Sequence, residues 1–428
     1  MRVFRILALS GVTTAALASQ AHAGGFYLQE QSVRGTGRAY SGEVADQGVE
    51  SLWWNPAAIA RSAREVYVGA SGVLVQSKLE DRGSTITFPG GVTLPVGGDV
   101  AAYNPIQNGV APNFAISTPI MDRFAVGLSV AAPFNFETRY RQSAFPRYDA
   151  LRSRLETVDL QLTGAMKVTD WLDFGVGFNA QYTNAKLQNA LPNLSLILPD
   201  GLTQLSGSGW NYGWTVGAQA HFDRLSLGAS YRSAMDHSPS GTVFVGGLLG
   251  PLAAGNLVAP ATAKFATPWI ATLGARYRIT DRLTLDGQVQ RYGWSKFRNI
   301  EVTSGGVTQA IPQDYHDTTS GGVGADYEVN KRLTLRAGVQ YDPTPTPDFG
   351  RSARVPDSNR WLFAVGATGR VTDNMQVDAA FSYIDFVNSS VARIDTFYPG
   401  TAAATTSTLL GSVKGQGYVM AVGLRTTF

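Results

Sequence analysis

Strict two-residue alternation of apolar with polar or small residues runs through long stretches of this chain. From Leu172 the even positions read Leu172, Phe174, Val176, Phe178, Ala180 and Tyr182, and the odd ones Asp173, Gly175, Gly177, Asn179, Gln181 and Thr183. Leu333, Leu335, Ala337, Val339 and Tyr341 alternate in the same way with Thr334, Arg336, Gly338 and Gln340. Met375, Val377, Ala379, Phe381 and Tyr383 do so with Gln376, Asp378, Ala380 and Ser382. Neighbouring side chains of a strand point to opposite faces, so each run has one apolar face and one polar or small face. These runs approach or exceed ten residues, against about five or six for an ordinary strand. In a soluble sandwich the apolar face is the core, but here the other face is crowded with glycine, which suits a packed interior better than a solvated surface. The pattern is that of a transmembrane barrel, apolar toward lipid and polar or small toward the lumen.

Tight turns give the strand count. Asp122-Arg123, Asp170-Trp171, Asp223-Arg224, Asp281-Arg282, Asn330-Lys331 and Asp373-Asn374 each separate two alternating segments. Asp and Asn suit such turns because their side chains bond the local backbone. Six hairpins make twelve strands. One strand before them (65–79) and one after (413–428) bring the total to fourteen. An even number puts both barrel ends on the side of the short turns, the periplasmic side in bacterial barrels. The last strand alternates Tyr418, Met420, Val422 and Leu424 with Ala421, Gly423, Arg425 and Thr427, and closes on Phe428.

The chain begins with a segment expected to be removed. Residues 1–23 combine Arg2 and Arg5, an apolar stretch from Ile6 to about Leu17, and Ala21-His22-Ala23, the plan of a secretory signal peptide. The mature chain is then expected to start at Gly24. Of 35 basic and 32 acidic residues two basic ones go with the signal, so the remainder carries 33 − 32 = +1. That charge is not the footprint of a nucleic-acid binder. Cysteine is absent, so no disulfide framework or thiolate metal site exists.

Residues 24–64 do not alternate. About forty residues without period, attached at the periplasmic end, are enough to fold inside a barrel and block it; an exposed periplasmic arm is the alternative. The segment carries Gly24-Gly25-Phe26-Tyr27-Leu28-Gln29-Glu30-Gln31-Ser32, Gly35-Thr36-Gly37-Arg38-Ala39-Tyr40-Ser41-Gly42-Glu43 and Asn55-Pro56-Ala57. It resembles the N-terminal hatch of the FadL family, outer-membrane channels for long-chain fatty acids and other hydrophobic compounds. The resemblance continues through Pro112-Asn113-Phe114, Tyr231-Arg232-Ser233, Trp294-Ser295-Lys296-Phe297 and Asn359-Arg360-Trp361-Leu362, so it covers essentially the whole mature chain. It implies an all-β fold, a 14-stranded antiparallel barrel plugged by a small hatch, which agrees with the turn count. The expected units are the signal peptide (1–23), the hatch (24–64) and the barrel (65–428).

The outer connections carry an apolar load. Leu191, Leu194, Leu196, Ile197, Leu198, Leu202 and Leu205 follow the fifth strand, and Leu248, Leu249, Leu252, Leu257 and Val258 the seventh. Loop residues packing on one another is one explanation; an exposed apolar patch that binds a ligand is the other. The resemblance implies the second, a groove that first captures the ligand. Pro133-Phe134-Asn135 interrupts the third strand (123–139), and proline marks an edge, bulge or break in a sheet. The family has an inward kink there that opens the wall sideways. Many relatives have glycine at Asn135, and Asn is expected to serve by tolerating the left-handed region; a simple bulge is the alternative. Phe26 matches the aromatic that reaches the family's inner pocket, and Asn55-Pro56-Ala57 is a hatch turn, structural first and gating second. Fatty-acid members hold the carboxylate with basic side chains, and the positions aligned with that clamp are Asn189 and Ile311. Lys186, Lys296 and Arg139 are candidates to replace it, and without a clamp the ligand would be a neutral hydrocarbon or aromatic compound.

Other chemistry finds little footing. Gly35-Thr36-Gly37 lacks the strand–helix setting of a dinucleotide loop, and His22, His221, His237 and His316 are scattered without metal-ligand spacing. Inward charges such as Asp286, Arg232, Arg276, Arg336 and Asp378 are expected to pair with one another and with the hatch. The expectation is therefore a monomeric channel in the outer membrane of a Gram-negative bacterium, in contact with outer-membrane lipid. It should need no cofactor and do no catalysis. A structural or adhesive barrel is the rival.

Overall fold

The computed structural model describes residues 24–428; the signal-peptide expectation falls outside them. The barrel strands, numbered in chain order, are β1 (Glu65–Asp81), β2 (Ala101–Tyr103 and Gly109–Met121), β3 (Phe124–Ala131 and Phe136–Arg139), β4 (Arg152–Lys167) and β5 (Leu172–Leu191). They continue as β6 (Gly201–Phe222), β7 (Leu225–Arg232, Met235–His237 and Ser240–Gly246), β8 (Leu257–Thr267 and Ile270–Arg278) and β9 (Leu283–Tyr292 and Asn299–Ser304). The rest are β10 (Val307–Pro312 and Thr318–Asn330), β11 (Leu333–Asp342), β12 (Arg360–Thr372), β13 (Met375–Phe397) and β14 (Thr405–Thr427). Each pairs antiparallel with the next, and β14 closes on β1 through Glu65↔Thr427 to Asp81↔Gly411. The ring has fourteen strands, and all six predicted hairpins lie at one rim. Closure removes the sheet edges that lipid does not tolerate.

The burial pattern is the reverse of a soluble protein's. On β5, Phe174, Val176 and Phe178 are 42%, 48% and 54% exposed, whereas Asp173, Asn179, Gln181 and Thr183 are fully buried. The apolar face therefore looks outward, as lipid requires. Trp171 stacks on Phe222 at the short-turn end, and Tyr182 packs on Trp210 eleven residues further along β5 (182 − 171 = 11). At a rise of about 3.3 Å per residue and a tilt of about 40°, the band between these aromatic pairs is about 28 Å tall, near the height of an outer-membrane apolar girdle. Above it the strands continue as a polar collar, so β5 and β6 reach 20 and 22 residues. Leu191, Leu202, Leu205, Leu257 and Val258 accordingly stand on strands, not in loops.

Residues 24–60 lie inside the ring and are buried almost throughout. The lumen glycines explain how they fit. A Cβ at Gly217 would come within 2.0 Å of Asn55 Oδ1, and one at Gly338 within 2.1 Å of the Arg38 carbonyl. The lumen's charges pair as expected. Arg38 lies 2.5 Å from both Glu43 and Asp46 and 3.1 Å from Asp326, and Arg276 reaches Asp286 at 3.0 Å and Asp326 at 2.8 Å. Arg336 bridges Asp326 and Asp378. Arg232 donates to the Trp53 carbonyl at 2.9 Å and stacks 3.5 Å from that indole ring.

Candidate ligand route

Two cavities meet inside the outer half of the barrel. The outer one holds about 460 Å³ and is lined by Leu187, Asn189, Leu191, Leu205, Val243, Ile311, Arg354, Arg393 and Phe397, among others. That volume is in the range of sites that enclose a small ligand, ~300–1,000 Å³. The inner one holds about 50 Å³ and is lined by Phe26, Phe136, Leu155, Phe265, Phe297 and Ile300, with Leu187, Leu205 and Arg354 shared between the two. It is about a third of the roughly 150 Å³ of an engineered apolar cavity that binds benzene.

Phe26 closes the inner end. Glycines on its N-terminal side let the chain turn tightly: Gly25 has φ +73°, and a Cβ there would strike the Trp294 ring at 2.8 Å. The Gly25 N–H donates to Asp357 Oδ2 at 2.8 Å. The Phe26 ring is 1% exposed and packs edge-on against Trp294 and Phe297, at centroid distances of 4.8 and 5.0 Å, with Phe134 and Phe136 at 6.0 and 5.9 Å.

At Pro133-Phe134-Asn135 the ladder between β2 and β3 is interrupted, leaving a window in the backbone pairing whose residues are all buried. Pairing of β2 with β3 ends at Phe114↔Val130 and resumes only where the Gln107 N–H donates to the Glu137 carbonyl at 2.9 Å. Ala131 and Phe136 are seven and twelve residues beyond Phe124 (131 − 124 and 136 − 124). This places the window about 18 to 30 Å above the short turns, at the outer part of the apolar band. On the β4 side side chains replace the ladder: the Phe134 N–H donates to Thr157 Oγ1 at 3.0 Å and the Thr157 N–H to Asn135 Oδ1 at 2.7 Å. Asn135 thus serves by bonding the backbone of the break, not by a left-handed conformation, since its φ is not positive.

The N-terminal segment fills the window. The Leu28 N–H donates to the Pro133 carbonyl at 2.7 Å. Gln31 spans the gap: its Nε2 donates to the Ala132 carbonyl at 3.3 Å, and its Oε1 accepts from the Ala132 N–H at 3.3 Å and from Asn113 Nδ2, on β2, at 3.2 Å. The sequence offers Gln31 only as one residue of the segment 24–32, because its partners on the wall lie 101 and 82 residues away; its Nε2 also donates to the Leu28 carbonyl at 3.1 Å.

The remaining candidates divide. Asn55 caps the short turn Pro56–Ile59, accepting from the Ala57 N–H at 3.0 Å and donating to the carbonyls of Val44 and Ala218 at 2.7 and 3.1 Å. Asn55-Pro56-Ala57 is therefore an anchor on β5 and β6, away from the window. Leu196, Ile197, Leu198 and Leu249 are exposed, Ile197 at 94%, while Leu194 and Leu252 are half-buried. Leu248 is instead buried, packed against Gly201. Asn193 ties the two connections together, accepting from the Leu249 N–H at 2.9 Å and donating to the Gly247 carbonyl at 3.1 Å. Lys186 shares the outward face of Tyr182 by the two-residue period, above the aromatic pair, while Ala185, Leu187 and Asn189 face the cavities. Lys296 is exposed and Arg139 pairs with Glu137.

A lipid-facing barrel whose lumen is filled by its own N-terminal segment, with a largely apolar cavity above and a gap in the backbone pairing of the wall beside it, has the plan of an outer-membrane channel for hydrophobic solutes. The chain belongs to the family described as outer membrane protein transport protein (OMPP1/FadL/TodX), whose model matches residues 14–428. It is a transport channel of the Gram-negative outer membrane, not an enzyme. It is 26% identical to the long-chain fatty acid transport protein of Escherichia coli K12, over 87% of this chain and 90% of that one. Among solved structures, a FadL homologue of Pseudomonas aeruginosa superimposes with a TM-score of 0.82 at 24% identity, covering 94% of this chain and 100% of the other. The toluene transporter TodX of Pseudomonas putida gives 0.67 at 17% identity, covering 94% and 99%. These two likenesses concern the fold.

Proposed function

We propose that the protein takes up hydrophobic molecules passively, long-chain fatty acids first among them. The ligand adsorbs on the exposed apolar side chains of 192–200 and 247–256 and enters the outer cavity. Each Å² of apolar surface withdrawn from water contributes about 25 cal/mol, so adsorption needs no specific polar contact. Going deeper requires Phe26 to leave, because the inner cavity is too small for an alkyl chain. Movement of Phe26 pulls on Leu28 and Gln31, the residues that fill the window at Pro133, and the ligand leaves sideways into the bilayer.

The observation that carries this reading is the short sequence distance between Phe26, which closes the cavity, and Gln31, which fills the window. Six consecutive residues touch both ends of the route. On this reading residues 24–64 are a hatch, and Asn55-Pro56-Ala57 is the hinge side that stays in place. The test is uptake of labelled oleate by cells lacking their own fatty-acid channel, with and without this protein. Uptake that a deletion of Gly24, Gly25 and Phe26 leaves unchanged, in a correctly inserted barrel, would refute the coupling.

A second reading, a channel for neutral hydrocarbons or aromatic compounds, is favoured by Asn189 and Ile311 standing where the family's carboxylate clamp aligns. Competition of toluene with oleate separates the two: a neutral-solute channel takes up toluene and leaves oleate outside.

A further inference from the structure

We propose that Arg354 reads the carboxylate of the ligand and takes over the work of the missing clamp. This rests on the uptake reading above and names its substrate class: long-chain aliphatic acids over their neutral analogues. Arg354 lies in the connection between β11 and β12 and borders both cavities, at the neck where they join. Its Nη2 donates to Asn189 Oδ1 at 3.0 Å, so the side chain that occupies one clamp position holds the guanidinium in place. Ile311, at the other clamp position, lines the same cavity.

Asp149 and Asp395 line the same cavity, but the guanidinium donates a hydrogen bond to no carboxylate among the described residues. Its other direct partner is Ser153 Oγ at 3.4 Å, and the nearest carboxylate oxygen, Asp149 Oδ1, is 4.0 Å from Nε. That carboxylate is already engaged by Ser352 Oγ at 2.7 and 2.9 Å and by the Ala353 N–H at 2.6 Å, and its Oδ1 lies 3.5 Å from Arg393. Arg393 in turn has Asp395 at 2.9 Å. The contrast is with Arg38, held at 2.5 Å by each of two carboxylates. Burial pulls the Arg354 guanidinium below its usual pKa; Asp149 and Asp395 work against this and Arg393 adds to it, so the cation gains from a further anion. A carboxylate in an apolar cavity is costly unless it is paired, and a planar guanidinium presents two parallel N–H donors to it. With its head at Arg354, the alkyl chain runs past Leu205 toward Phe26, which is the direction of release.

The experiment is equilibrium binding to the purified barrel in detergent, with oleate and oleyl alcohol as probes, for the wild type, Arg354→Gln and Arg354→Lys. Retained heat-modifiable migration on gels shows that each variant is folded. Arg354→Gln is expected to weaken oleate roughly ten- to a hundredfold, the range of a charge-assisted hydrogen bond, and to leave oleyl alcohol within about twofold. Arg354→Lys should recover part of the loss. An unchanged preference for oleate over oleyl alcohol in Arg354→Gln overturns the assignment while leaving the uptake reading intact. Failure of the wild type to bind either probe overturns both.

Discussion

Gln31 is where the coupling between cavity and wall is most exposed to test. Gln31→Ala removes three hydrogen bonds that cross the window, to the Ala132 carbonyl, from the Ala132 N–H and from Asn113. They are 3.2 to 3.3 Å long, so each merits about 1 kcal/mol net at most, and their loss favours the opened arrangement by about 2 to 3 kcal/mol. That is roughly a 30- to 150-fold rise in the opened fraction. The Leu28 N–H to Pro133 bond remains, so the segment is loosened and not lost. Oleate uptake well below saturation should rise about tenfold or more, and the Ala132 amide should exchange with deuterium correspondingly faster. If the Ala132 amide exchanges faster but uptake does not change, opening of this window is not on the route. If exchange does not change either, Gln31 does not hold the window closed.

Further outcomes follow from the same geometry. Pro133→Ala restores a backbone N–H to the break, which should help the strand close; uptake is expected to fall several-fold while oleate binding in detergent is kept. Gly217→Ala puts a methyl where Asn55 Oδ1 sits, 2.0 Å away. The barrel should still assemble, but residues 24–60 should become sensitive to added protease, and continued resistance would argue against the anchor. Ile197→Asp, at a side chain 94% exposed, should shift stability by no more than about 0.5 kcal/mol and weaken adsorption of oleate about fivefold, measured as ligand retained by cells in the cold.

Much of the fold was legible because its rules are local. Alternation such as Phe174-Gly175-Val176-Gly177 fixes the outward and inward faces, and a turn such as Asp223-Arg224 marks a rim wherever it occurs. The lumen was legible in outline from its glycines, although which glycine faces which carbonyl was not. Asn189 and Ile311 came from resemblance, and both line the outer cavity. Arg354 left no signal, and Gln31 none beyond its place in the segment 24–32, because each reaches its partner on the wall across more than eighty residues of chain, where no period constrains it. Lys186 misleads for the opposite reason: it is close in sequence to the cavity-lining Leu187 and Asn189, but one residue of strand turns it to the other face.

On the proposed route residues 26–31 must move for a ligand to pass. Tyr27 and Phe134 stand opposite each other in an isolated antiparallel bridge, at a separation a disulfide can span with small adjustment. The chain has no cysteine of its own, so Tyr27→Cys with Phe134→Cys makes one cross-link between the segment and the wall. Oleate uptake should be blocked in the oxidised channel and return on reduction, each measured against the reduced double variant. An oxidised channel that carries oleate at the reduced channel's rate would mean that the segment need not move.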